Sequence, residues 1–349
     1  MKKIMASVVH RLRNTGSRYI ARHRGWRLMQ ARAAEIRKHG ADLTLVQDNT
    51  AAIRPRDILL VVCLRNEAHR LPFFLDYYRR LGVDRFLIVD NDSTDGFRDY
   101  VKPMGDVSVW STKASYLASN FGMQWCNHLL ASYGVGHLCV TVDPDEFLVY
   151  PHIETRALAD LGVFLKDENR ACMHTLMLDA YSDRPVRETL YHSGDNPFET
   201  CPYFDRDGYI QRDGFGGGTF IQGGPRMRVF NRDDPYHAPA LNKISVVWWE
   251  KTYAYRSSMH DMLPLKLNRA HHDGAVSITG CLFHFKFIST LEQKALEEAE
   301  RKQHYAGGRE YEKYRDQIES SLFQEGVSLR YRAPQQLIDL GLMSPGGWS

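Results

Sequence analysis

Asp143-Pro144-Asp145-Glu146 directly follows the apolar run Gly136-His137-Leu138-Cys139-Val140-Thr141-Val142, and no other feature constrains the chain as strongly. A short run rich in β-branched residues predicts a buried strand. The backbone therefore leaves the core and at once presents three carboxylates, two of them spaced i, i+2. Crowded carboxylates repel one another, and the usual relief is a hard divalent cation or cationic side chains. The apolar run resumes at Phe147-Leu148-Val149-Tyr150, so the acids interrupt buried structure instead of belonging to a solvated face. An acidic turn between two strands is the plainer reading, and a metal site the sharper one.

A chain of 349 residues with 43% apolar and 11% aromatic content can fill one large α/β domain or two smaller ones. Cys63, Cys126, Cys139, Cys172, Cys201 and Cys281 are scattered, with no C-x-x-C pair, so neither a zinc cluster nor a disulfide framework is expected. Free thiols in apolar runs suit a reducing compartment, and the expected location is cytoplasmic. The formal charge of +3 is uneven: residues 1–40 hold eleven Lys or Arg against the single acid Glu35. That stretch has no apolar run long enough for a signal peptide or a membrane span. A basic extension over residues 1–50 is expected. Within it, residues 1–40 form either a solvated basic helix or a peripheral contact with the inner face of a membrane, nucleic acid being the less favoured partner.

From residue 57 the pattern alternates. Ile58-Leu59-Leu60-Val61-Val62-Cys63-Leu64 reads as a buried strand, Leu71 to Leu81 has helical spacing with Pro72 at its start, and Arg85-Phe86-Leu87-Ile88-Val89 reads as a second strand. This is a β-α-β unit and hence a parallel sheet. The second strand ends in Asp90-Asn91-Asp92-Ser93-Thr94-Asp95-Gly96, a polar turn at a carboxyl end, where open α/β sheets bind ligands. A turn that merely caps the next helix is the simpler alternative.

The order of these parts says more than each alone. Strand, Arg65-Asn66-Glu67, helix, strand, Asp90 to Gly96, then some fifty residues on a strand ending in D-x-D, resembles the nucleotide-sugar-binding half of family 2-like glycosyltransferases of GT-A fold. The resemblance is close over residues 57–150. It continues through Gly216-Gly217-Gly218, Gly223-Gly224-Pro225-Arg226, Asn242-Lys243 and Phe283-His284-Phe285-Lys286, which look like the bacterial branch related to family 92 and DUF23 enzymes. It implies an α/β fold with a Rossmann-like nucleotide-binding sheet flanked by helices. The GT-A domain would span 51–288, with a donor half at 57–150 and an acceptor half at 151–288, and residues 289–349 would form a C-terminal helical region and tail.

The resemblance also implies a site. Arg65, Asn66 and Glu67 would line a nucleoside pocket, and Asp90, Asn91 and Asp92 would hold base and ribose, with a UDP-sugar as the expected donor. The family usually has Asp where this chain has Asn91, which leaves the base open. Asp143 and Asp145 would coordinate Mn2+ or Mg2+ bridged to the donor diphosphate, with Asp143 also reaching the ribose and His284 completing the metal site. Lys286 shares the face of His284 by alternation and would meet the diphosphate. Lys243, Arg226 and Arg228 are further options for phosphate or acceptor contacts.

An inverting transfer, the outcome the resemblance favours, needs a carboxylate base for the acceptor hydroxyl of a glycan or other molecule. Asp179, Glu199, Asp205, Asp207 and Asp213 are candidates. Asp213 is preferred because it precedes Gly214-Phe215-Gly216-Gly217-Gly218, which could close over the substrates. That stretch matches neither G-x-G-x-x-G nor a P-loop, which argues against a dinucleotide or ATP site. A charged helix is expected over 290–301, continuing through Tyr314 and Ile318, with the tail from Pro345 as loop. Two other readings stay open: a sugar-1-phosphate nucleotidyltransferase or metal phosphohydrolase that reuses acids at strand ends, and a non-catalytic binding protein with a basic arm.

Overall fold

The computed structural model describes residues 29–214, 217–269, 277–291, 293–294, 313–314 and 318–348. Nine strands form one mixed sheet: β1 Thr44–Gln47, β2 Leu59–Leu64, β3 Arg85–Asp90, β4 Val107–Ser111, β5 Leu138–Thr141, β6 Glu146–Val149, β7 Cys172–Asp179, β8 Asn242–Trp248 and β9 Thr279–His284. Their order across the sheet is β1-β4-β3-β2-β5-β8-β7-β9-β6. Strands β4, β3, β2 and β5 are mutually parallel. Helices flank the sheet, and the architecture is mixed α/β, as the alternating sequence pattern predicts.

The near-continuous apolar strands follow from a sheet covered on both faces. Leu60, Val62 and Leu64 point to one side and pack with Leu71, Phe74, Leu75 and Tyr78 of helix α1, Leu71–Arg80. Leu59 and Val61 point to the other and meet Trp125, Cys126 and Leu129 of helix α2, Met123–Leu129. The period-two alternation of a strand thus feeds two separate cores. All six cysteines are free.

Strand β8 decides the geometry of the sheet's carboxyl edge. It inserts antiparallel between β5 and β7, with Val246 opposite Val140 and Lys243 opposite Thr175. It therefore enters the sheet at the edge where β5 and β7 leave it. Strand β9 runs parallel to β7, so Asp179 and His284 are partners at the ends of both strands. On its other side β9 pairs antiparallel with the edge strand β6, placing His284 opposite Glu146. Two phenols from α1 tie down that edge. Tyr77 Oη donates to Leu148 O at 2.7 Å, and Tyr78 Oη donates to Glu146 O at 2.9 Å while accepting from Leu148 N at 3.2 Å.

Part of the stretch read as a basic extension is built into the fold. Residues 29–40 are helical, and β1 pairs antiparallel with β4. Arg32 Nη2 donates to Arg256 O at 2.8 Å, and Trp125 Nε1 donates to Asp42 Oδ2 at 3.3 Å. Residues 1–28 lie outside the described residues. Among the described residues, no helix is long and apolar enough to cross a membrane.

Most of the helix expected over 290–301 also lies outside them, at 292 and from 295 on. Tyr314 and Ile318 are buried in a cluster with Phe230 and Phe287. The tail has the expected loop character, but it is anchored. Trp348 is buried and stacks on Phe164 at 5.8 Å. A Cβ on Gly346, whose φ is +57°, would stand 2.1 Å from Ile278 N.

Candidate active site

Because β2, β3 and β5 are parallel, Arg65, Asp90 and Asp143 leave the sheet on one edge. The start of β8 and the ends of β7 and β9 add Lys243, Asp179 and His284 to that edge. Open α/β sheets place ligands at such edges, outside the carboxyl ends of the strands.

The acids of the D-x-D turn are relieved in two different ways. Lys243 Nζ lies 2.9 Å from Asp143 Oδ2 and also contacts Glu146 Oε1. Glu146 Oε2 in turn accepts from Asp143 N at 3.2 Å. Lys243 and Glu146 are buried, whereas Asp143 keeps 42% of its side chain exposed. Burial works against the Lys243 ammonium, but Asp143 and Glu146 outweigh it and raise its pKa, so the ion is retained. Asp143 is thus held by a resident cation.

Asp145 faces another partner. Its Oδ2 is 3.4 Å from His284 Nε2, and the opposite ring nitrogen, Nδ1, is 2.7 Å from Asp179 Oδ1. Arg226 Nε donates to Asp179 Oδ2 at 2.7 Å. Burial alone would raise Asp145, but His284, then Arg70 and Lys294, hold its carboxyl well below the usual range. Burial opposes the charged ring of His284 as well, and Asp145 and Asp179 overcome it and raise its pKa.

Sequence reasoning missed a cationic flank beside this pair. Arg70, buried at the start of α1, lies 3.0 Å from Glu67 Oε2, and Lys294 Nζ reaches Glu67 Oε1 from 227 positions away. Glu67 is therefore paired internally. His69 has its Nε2 buried without a hydrogen-bond partner, and burial together with Arg70 and Lys294 lowers its pKa to about 3. Only the clustering of Glu67, His69 and Arg70 behind β2 could have signalled this flank.

The residues expected to bind nucleoside separate into two groups. Asp90 and Asn91 are buried; Asp90 accepts from Arg98 Nε at 2.7 Å, and Asn91 Nδ2 donates to Ala114 O at 3.1 Å. Arg65 Nη1 donates to Asn91 O and Asp92 O at 2.8 and 2.6 Å, and Asn66 Oδ1 accepts from Thr94 N at 2.8 Å. Together these bonds lash the mouths of β2 and β3 to each other. Asp92, at φ +61° and 44% exposed, faces outward with Lys113 Nζ 3.9 Å away.

Other candidates lie elsewhere. Lys286 Nζ sits 4.8 Å from the centre of the Tyr314 ring. Arg228 Nε pairs with Asp205 at 2.7 Å, and both Arg226 and Arg228 thus serve internal carboxylates. Asp213 is exposed on a hairpin, Ile210–Asp213 with Thr219–Gln222, where Gly214 N donates to Gly218 O at 2.7 Å. Phe215 and Gly216 of that turn lie outside the described residues.

A polar cavity of about 470 Å³ opens beyond β7, lined in part by Ser182, Glu188, Glu199, Tyr203 and Arg330. Phe198, beside Glu199, packs 4.8 Å from Phe285, the neighbour of His284. Of the five carboxylates considered as base, Glu199 is the one that lines it.

No protein-family model matches the chain. No curated protein matches it either. Among the described residues, no group of three or more His, Cys, Asp or Glu is placed to hold a metal. Asp145 and His284 nevertheless fit two adjacent corners of a coordination shell. Donors about 2.1 Å from one ion and roughly 90–110° apart stand about 3.0–3.4 Å from each other, and these two are 3.4 Å apart. Ions that serve diphosphates usually take only one or two protein carboxylates and complete their shell with phosphate oxygens and water.

Proposed function

We propose that the chain is a GT-A glycosyltransferase of family 2-like type that moves a sugar from a UDP-sugar to a hydroxyl of a glycan or other acceptor, with inversion. The observation that carries this reading is the Asp145–His284 pair at the carboxyl edge of the sheet's parallel strands, 3.4 Å apart and flanked by Arg70 and Lys294. Asp145 and His284 would hold Mn2+ or Mg2+, the imidazole nitrogen favouring the transition ion. Such an ion supplies charge stabilisation to the departing diphosphate.

The protein's own groups do the rest. Arg70 and Lys294 add positive potential on the leaving-group side, and Asp92 at the open mouth of β3 accepts from ribose hydroxyls. Asp143, held by Lys243 with 42% of its side chain exposed, would also reach the ribose. The polar cavity beyond β7 suits a polyhydroxyl acceptor, and Glu199, which lines it, would take the hydroxyl proton.

Thermal-shift titration with UDP-, GDP- and CMP-sugars, each with Mn2+, tests the reading, because a ligand of the folded state raises apparent stability. UDP-sugars are expected to stabilise the protein only with the metal present. Asp145→Asn should abolish both that shift and UDP-sugar hydrolysis. A shift independent of Mn2+ and unchanged in Asp145→Asn would sink the proposal.

A further inference from the structure

We infer that Asp179, backed by Arg226, is a positioning residue that fixes the tautomer of His284 and aims its Nε2 lone pair at the space beside Asp145. The inference rests on the reading that Asp145 and His284 hold a divalent cation, and it concerns what makes His284 able to do so.

Imidazole has two nitrogens, and only the unprotonated one can bind a metal. Asp179 Oδ1 lies 2.7 Å from Nδ1. With Arg226 Nε on its other oxygen, the Asp179 carboxylate accepts here, so in the neutral ring the contact puts the proton on Nδ1 and leaves Nε2 as the free donor atom. Nε2 is the nitrogen that faces Asp145. A carboxylate on the far side of a ligating imidazole is the arrangement that orients the ring and raises its basicity in metal sites.

Asp179 is itself fixed so that it cannot exchange roles. Its second oxygen accepts from Arg226 Nε at 2.7 Å, and neither side chain is more than 6% exposed. Asn231 Nδ2 donates to Arg226 O at 2.8 Å and holds the short helix Gly224–Arg228 that carries the guanidinium. That helix starts on Gly224 at φ +63°, a left-handed conformation that favours glycine. Gly223-Gly224-Pro225-Arg226 thus acts as a bracket for the carboxylate behind His284. Glu146, opposite His284 across the sheet, is engaged by Lys243 and does not compete for the ring.

The experiment pairs Mn2+ binding, followed by electron paramagnetic resonance with UDP present, with the ring-nitrogen NMR spectrum of His284 at alkaline pH without metal. The His284 signals are assigned by their loss in His284→Gln. In the wild type the proton should reside on Nδ1. In Asp179→Asn, whose amide can donate to Nδ1, the tautomer should shift and Mn2+ affinity should fall about 10- to 100-fold, with the melting profile still cooperative. Arg226→Lys should weaken Mn2+ binding less, since the carboxylate is kept. Should Asp179→Asn fail to fold, the wild-type tautomer decides alone: a proton on Nε2 with Nδ1 bare overturns the inference. Unchanged Mn2+ affinity in a folded Asp179→Asn overturns it too, while leaving the metal reading intact. If the wild type binds no Mn2+ with UDP, both fall together.

Discussion

Removing the charge of Lys243 should cost more than removing Lys243 and Glu146 together. Lys243→Met leaves a carboxylate that is 1% exposed without its cation, and breaking a buried pair from one side costs about 3–5 kcal/mol. Lys243→Met combined with Glu146→Gln should recover much of that loss in urea unfolding; a double variant no more stable than the single would refute the pairing. The relay through His284 gives a second expectation at this scale. His284 is raised above its ordinary 6.5, so the stability its charged ring contributes is complete below pH 6.5 and is lost as pH rises through the higher folded value. Asp145 and Asp179 are depressed below 3.8, so their contribution is present above pH 3.8 and is lost as pH falls through their folded values. The contribution of these three groups to stability in EDTA should therefore be greatest between these limits. His284→Gln should flatten the alkaline decline, and an unaltered decline would show that another group causes it. Asp145 and His284 were legible in the sequence because a strand end and an alternation marked them. Lys294 was not, because its partner Glu67 lies 227 positions away and no local pattern records that pairing.

The elements that place the acids can be tested through Tyr78. Its hydroxyl satisfies both Glu146 O and Leu148 N on an edge strand only four residues long. Tyr78→Phe strands two buried backbone groups and should cost about 1–3 kcal/mol. Amide exchange at Leu148 should quicken more than at Val61 in the sheet's centre; equal effects would mean that the hydroxyl steadies the whole fold and not this edge. The β-α-β unit at 59–90 was readable because its periods of 2 and 3.6 are local. The insertion of β8 was not. Asn242-Lys243-Ile244-Ser245-Val246-Val247-Trp248 shows an apolar run, but nothing in it says that it lies antiparallel between β5 and β7. That placement alone turns Lys243 from a general phosphate candidate into the partner of Asp143 and Glu146. Likewise, Arg226 reads as a phosphate ligand in isolation and as the clamp on Asp179 once the strand ends are brought together.

At the scale of the whole molecule, the basic N-terminal stretch divides into two parts with separate consequences. Residues 1–28 contain eight Lys or Arg and no acid, so deleting them turns a formal +3 into −5. Residues 29–47 instead supply a docked helix and β1, which covers the outer edge of β4. Any co-sedimentation of the full chain with phosphatidylglycerol vesicles should be lost on deletion of 1–28 and should weaken with salt, since that stretch holds the excess of basic residues. Deletion of 1–47 removes the hydrogen bonds from Arg32 and to Asp42 and uncovers a row of unpaired β4 backbone groups. Exposed strand edges pair with other chains, so this shorter protein should melt about 5 °C lower and associate in light scattering. Vesicle binding that is absent from the full chain, or that survives the first deletion, would rule out a lipid contact through residues 1–28. A melting temperature that survives the second would mean that β1 decorates the sheet without closing it.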